Sequence, residues 1–106
     1  MACPRVCVVD TSASVRETIG IILAADCDVV CLAPSDVARL TDEAETADLF
    51  IVEAGTLAVN IVPRILKRAA VVWLGSHKSG YPEAGGAPSL SRSFTPGELK
   101  DAVTRA

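Results

Sequence analysis

The chain has 106 residues and a net charge of −3; half of its residues are hydrophobic, yet only 4% are aromatic. That length suits one domain with one core, and that apolar fraction excludes a disordered chain. No Lys/Arg cluster offsets the acidic balance, which argues against direct nucleic-acid binding, and the apolar runs fall short of the roughly 18 residues a membrane-spanning helix needs. A secretory leader is not expected, because Pro4, Arg5 and Asp10 interrupt the start of the chain, and the expected compartment is the cytoplasm.

Along the chain two hydrophobic periods alternate. Arg5–Asp10 is an apolar run closed by an acid and predicts a first strand. Ser14 and Glu17 have the spacing of a capping box, and Val15, Ile19, Ile22 and Leu23 share one helical face. Asp28–Ala33 predicts a second strand, Pro34-Ser35 the cap of a short helix to about Asp42, and 42–47 a polar linker. Leu49–Glu53 predicts a third strand, again closed by an acid. Leu57, Ile61, Ile65 and Leu66 mark another helix, dented or delayed by Pro63. Ala70–Leu74 predicts a fourth strand, Gly75–Pro88 a long Gly/Pro-rich loop, and Leu90–Arg92 a brief fifth strand. Thr95-Pro96-Gly97-Glu98 opens the last helix with a Thr cap, Pro in the first turn and a closing Glu; Leu99, Ala102 and Val103 form its inner face. Such alternation implies one α/β domain over 1–106, a parallel sheet with helices on both faces and right-handed crossovers. The working crevice of such a sheet lies at the carboxyl ends of its strands, where Asp10, Glu53, Gly75, Ser76 and Arg92 fall.

Paired carboxylates at one crevice can bind Mg²⁺, or one can act as a nucleophile in phosphoryl transfer; acids also close strands simply to cap the next helix. Four cysteines, Cys3, Cys7, Cys27 and Cys31, have C-x₃-C spacing twice. Cys7 and Cys31 fall mid-strand, so they are expected as small buried hydrophobes in preference to zinc ligands or a disulfide. His77 is expected in solvent, Trp73 in the core, and Tyr81, within the Gly/Pro-rich loop, as a contact residue or as a lid over the ground a helix would otherwise occupy there.

Arg5-Val-Cys-Val-Val-Asp-Thr-Ser-Ala-Ser-Val-Arg16 resembles the first strand and helix start of response-regulator receiver domains, which read about V-V-D-D-S-P-S-V-R. Ala47-Asp-Leu-Phe-Ile-Val-Glu53 resembles their D-L-V-L-L-D segment, whose last Asp accepts the phosphoryl group. Leu90-Ser-Arg-Ser-Phe94 with Glu98-Leu99 resembles their Y-L-x-K-P-F…E-L segment. The resemblance spans essentially the whole chain. It implies a flavodoxin-like (CheY-like), doubly wound sheet of five parallel strands in the order 2-1-3-4-5, with the fourth helix missing or reduced to a loop because Gly75–Arg92 is short.

The departures from that pattern fall on the site. Thr11 stands where the resemblance implies a second Mg²⁺-binding acid, and Glu53 where it implies the phosphoacceptor Asp. Gly75 takes the place of a Ser/Thr, with Ser76 one residue away. Ser89 replaces the switch aromatic, Arg92 the Lys and Ser93 the Pro after it. Weak Mg²⁺ binding at Asp10 and Glu53 is all that remains to expect, and a salt bridge from Arg92 to either acid is expected to fix the pocket. The resulting expectation is an atypical receiver of bacterial signal transduction, a pseudo-receiver without a cofactor or catalytic activity. It would act as a protein-interaction or localisation module, with a homodimer among its expected assemblies, and as the N-terminal part of a longer signalling protein. Two alternatives stand beside it: a working receiver phosphorylated at Asp10 or Glu53, and a flavodoxin-like ligand-binding domain.

Overall fold

The computed structural model describes residues 4–53, 69–75, 89–90 and 94–105. Five parallel strands form one sheet: β1 (Arg5–Val9), β2 (Asp28–Leu32), β3 (Leu49–Glu53), β4 (Ala70–Leu74) and β5 (Ser89–Leu90). Their order is β2-β1-β3-β4-β5, as the resemblance implies. Three helices are described: α1 (Ala13–Leu23), α2 (Val37–Thr46) and α3 (Pro96–Arg105).

The unbroken apolar strands follow from burial on both faces. One face of β1, β3 and β4 presents Cys7, Val9, Phe50, Val52, Val71 and Trp73 to Leu40, Ala44 and Ala47 at α2. The other presents Val6, Val8, Ile51, Val72 and Leu74 to Ile19 and Leu23 of α1 and to Leu99 and Ala102 of α3. Side chains alternate between these faces along each strand. Trp73, the single tryptophan of the chain, is 1% exposed, in the core where the sequence reading put it.

Several local expectations shift. Ser12, not Ser14, caps α1: its hydroxyl accepts from the Val15 N–H at 3.3 Å, while the Ser14 carbonyl accepts from Thr18. The predicted Ser14–Glu17 box therefore gives way to a cap two residues earlier. The second helix starts at Val37, capped by Asp36, and runs to Thr46 through the stretch expected as a linker. It persists because Ala44 and Ala47 bury against the sheet, and because Glu43 finds a cation. Arg5 Nε and Nη2 donate to Glu43 Oε1 and Oε2 at 3.0 and 2.7 Å, and Arg5 Nη1 reaches Asp28 at 3.0 Å. Cys31 is exposed, against expectation, while Cys7 and Cys27 are buried. It lies on the edge strand, which pairs with β1 alone among the described strands, and its Sγ donates to the Arg16 carbonyl at 3.5 Å. Cys7 is aligned with Val30 and Cys31 with Val8, so Cys7 and Cys31 belong to opposite faces and share neither a metal nor a disulfide. The predicted box at the last helix is present: Thr95 N–H donates to Glu98 at 2.8 Å and Glu98 N–H to the Thr95 hydroxyl at 3.1 Å. The helix expected around 57–66, the loop after Gly75 and the fate of a fourth helix lie outside the described residues.

Candidate functional site

The register gathers the sequence-predicted residues. Val9 aligns with Val52, and Glu53 with Leu74. Asp10 and Glu53 therefore occupy one level at the carboxyl edge of β1 and β3, and Gly75 follows one residue beyond that level on the adjacent β4. Thr11 lies on the turn into α1. Ser76 and Arg92, with the expected Arg92 salt bridge, fall outside the described residues.

Asp10 is fully buried. Its Oδ1 accepts from the Ser12 N–H at 2.7 Å, a turn-closing bond that short acidic side chains favour. Its backbone N–H donates to Leu32 at 3.4 Å, and its carbonyl accepts from the Arg16 guanidinium at 2.5 Å. The β1–α1 turn is thus held from the strand side and from the helix side.

Glu53 reaches across to that turn. Its Oε1 accepts from the Thr11 N–H at 2.9 Å and from the Thr11 hydroxyl at 2.8 Å. Two donors on one oxygen stabilise the charged carboxylate and fix its direction. A carboxylate at position 11 would bring no hydroxyl proton and would repel Glu53. Threonine turns the same contact into an attraction.

Gly75 has φ 84°, a region that side-chain-bearing residues avoid. Its N–H donates to Leu90 at 2.7 Å, closing β4 onto β5. A β-branched hydroxyl residue at this position would carry strain that glycine does not. Beside the site, an open depression of about 410 Å³ is lined by Thr11, Ala33, Pro34 and Ser35. Among the described residues, no group of three His, Cys, Asp or Glu side chains is placed to hold a metal ion, and no helix is long and apolar enough to cross a membrane.

Two contributors were not singled out as site residues from the sequence: Ser12, which closes the Asp10 turn, and Arg16, which clasps the Asp10 carbonyl. Arg16 was visible as the last residue of the first matched motif. Ser12 was hidden by the stronger-looking Ser14–Glu17 spacing.

Solved structures share this fold over nearly the whole chain. The chemotaxis response regulator CheY4 of Vibrio cholerae matches with a TM-score of 0.75 at 19% identity, covering 98% of each chain. The fold is that of a CheY-like receiver domain. A response regulator receiver domain protein of Bacillus halodurans C-125 matches the same receiver fold at 0.72 and 21% identity, covering 98% of this chain and 97% of that one. The signal receiver domain of an HD domain-containing protein from Pseudomonas fluorescens Pf-5 matches at 0.75 and 17%, covering 98% and 94%. No protein-family model matches the chain, and no curated protein matches it. At these identities, likeness to the receivers extends to the fold, and the site has to be read from its own residues.

Proposed function

We propose that this chain is a pseudo-receiver: a receiver-fold domain of a bacterial signalling protein that does not use the usual aspartyl phosphorylation and works by binding another protein. The observation that carries the reading is the Thr11–Glu53 contact. One oxygen of the carboxylate that would have to attack a phosphoryl donor already accepts two hydrogen bonds from within the chain, which fix the direction of the group, and the longer side chain of Glu displaces it from the reach of an Asp, where an error of about 1 Å already costs rate heavily. Asp10 Oδ1 is likewise turned to the Ser12 N–H. With a hydroxyl at position 11 in place of a second acid, these donors make a poor fit for Mg²⁺, which demands near-octahedral oxygen ligation. Gly75 offers no hydroxyl beside them.

The buried strands and the reciprocal Thr95–Glu98 cap support a retained scaffold whose use is its surface. Cytoplasmic location, absence of catalysis and attachment to a larger signalling protein belong to the same proposal. The test is incubation with acetyl phosphate and Mg²⁺ followed by intact-mass measurement. No stable phosphoryl adduct is expected. An adduct mapped to Asp10 or Glu53 would establish a working receiver and overturn the reading.

A further inference from the structure

β2 is an edge strand, hydrogen-bonded to β1 alone among the described strands. The Asp28 N–H donates to Pro4 at 2.9 Å, and the Asp10 N–H donates to Leu32 at 3.4 Å. In this continuous parallel register, Asp28, Val30 and Leu32 therefore turn their backbone groups toward β1. Val29 and Cys31 turn theirs outward.

Natural edges are commonly blunted by Lys, Pro or a bulge. The strand reads Asp-Val-Val-Cys-Leu with an unbroken register and carries none of these. Its single charge, Asp28, is already paired with Arg5 of the same chain at 3.0 Å. Cys31 is exposed, and Val29 and Val30 are half-buried. Above the edge, α1 presents Gly20 over Cys31, where even a Cβ would lie 3.7 Å from the Sγ.

The geometry points to a second copy of this chain as the occupant of this edge, with the two β2 strands paired antiparallel about a two-fold axis at Val30. In that register Val29 exchanges both backbone hydrogen bonds with Cys31 of the second copy, and Cys31 does the same with Val29. The outward-facing groups of one edge are met by those of the other. Asp28 lies opposite Leu32 of the second copy, so the like charges sit at opposite ends of the ladder, where a directly opposed pair would repel. The sheet then continues through ten strands. A closed two-fold arrangement uses each edge once and stops. A strand pair this short buries less than the roughly 1,200 Å² of a standard interface unless the flanking helices join it, so the assembly is a concentration-dependent dimer. This inference goes beyond the pseudo-receiver reading and does not depend on the chemistry of the Asp10 pocket.

The experiment is sedimentation or light scattering of the full chain over a concentration series, joined to two variants. Cys31→Lys places a charge on the exposed edge and is expected to give a monomer with an unchanged circular dichroism spectrum. Val30→Cys in a Cys31→Ser background sets two thiols on the axis, with Cα atoms about 4.5 Å apart in a non-hydrogen-bonded pair, within the span of a disulfide. Mild oxidation is expected to give a covalent dimer from that variant and none from Cys31→Ser alone. A monomeric mass throughout, up to about 1 mM, overturns the inference. So does a dimer that Cys31→Lys leaves intact, or cross-linking equal in the two oxidised samples.

Discussion

Glu53 is bound to Thr11 through a single oxygen, which accepts both the backbone N–H at 2.9 Å and the side-chain hydroxyl at 2.8 Å. The two positions are matched to each other. A Glu reaches the turn after β1, and a Thr meets it with a donor. Replacing Thr11 by Val keeps the β-branched shape and removes one of the two bonds. Because Thr11 is exposed, the loss should be roughly 0.5–1 kcal/mol, below the range for buried charged hydrogen bonds. For a domain of this size that is a fall of a few degrees in Tm. Thr11→Ser should retain the wild-type Tm. Thermal unfolding followed by Trp73 fluorescence measures both, and equal Tm values for the Val and Ser variants would show that the hydroxyl contributes nothing.

Thr11→Asp makes a sharper test of the same pair. It removes the hydroxyl donor and places a carboxylate beside Glu53, near the buried Asp10. Three acids at one strand edge repel, so the variant should be less stable than Thr11→Val in the absence of divalent cations. The same three acids supply oxygen ligands, and a ligand that binds only the folded state raises its stability. Mg²⁺ should therefore raise the Tm of Thr11→Asp while leaving wild type nearly unmoved. A Mg²⁺ response in wild type equal to that of the variant would contradict the assignment of Thr11 as the residue that sets metal affinity.

At the opposite end of the sheet, Arg5 ties three elements together. Its guanidinium grips both oxygens of the buried Glu43 on α2 and one of Asp28 on β2, and its backbone N–H donates to Asp48 at 2.9 Å before β3. The hydrogen bond to Glu43 is the main cause that raises the Arg5 pKa further above its already high value, so the cation persists at every working pH. Arg5→Met should lower Tm more than the double variant Arg5→Met/Glu43→Leu. The single change strands a buried carboxylate, whereas the double change replaces the pair by apolar packing. Arg5→Lys should not restore wild-type stability, since an ammonium cannot grip both oxygens side by side. Additive effects in the double-mutant cycle would rule out the coupling.

Much of this fold was legible in the sequence because periodicity carries it. The third and fourth strands begin and end where the apolar runs do, and Thr95-Pro96-Gly97-Glu98 announced a capping box that is present. Legibility failed where a long-range partner decides. The stretch from Asp42 looks polar and linker-like, yet it is helical because Glu43 is neutralised by Arg5, 38 residues away, and because Ala44 and Ala47 fit under the sheet. Cys31 looked like core because its strand is apolar, but nothing in a strand's own sequence says that it lies at an edge. At the site, Asp10 and Glu53 could be placed together from the strand ends alone. That Glu53 would turn to Thr11 could not, because the choice depends on the reach of one extra methylene against a turn set by Ser12 and Arg16.

The two described strand cysteines should separate by pH and by reagent. Cys7 lies in the cluster beneath α2, and burial, reinforced by the Glu43 carboxylate, pushes its thiol up to about 12 from the ordinary value of 9.0. Cys31 is raised by partial burial, with Arg16 pulling the other way. In the unfolded chain the Cys7 thiol loses its proton near pH 9, whereas in the folded chain it keeps it up to about pH 12. Between those values the folded state binds the extra proton. The stability is therefore complete below pH 9 and is lost as pH rises through the window, by about 1.4 kcal/mol per pH unit. Urea unfolding at pH 8 and pH 10.5 should show wild type losing about 2 kcal/mol more than Cys7→Val, which keeps the volume and does not titrate. Alkylation of the native protein should label Cys31 and reach Cys7 only after unfolding. Parallel pH slopes for wild type and Cys7→Val would mean that the buried thiol is not the group responsible.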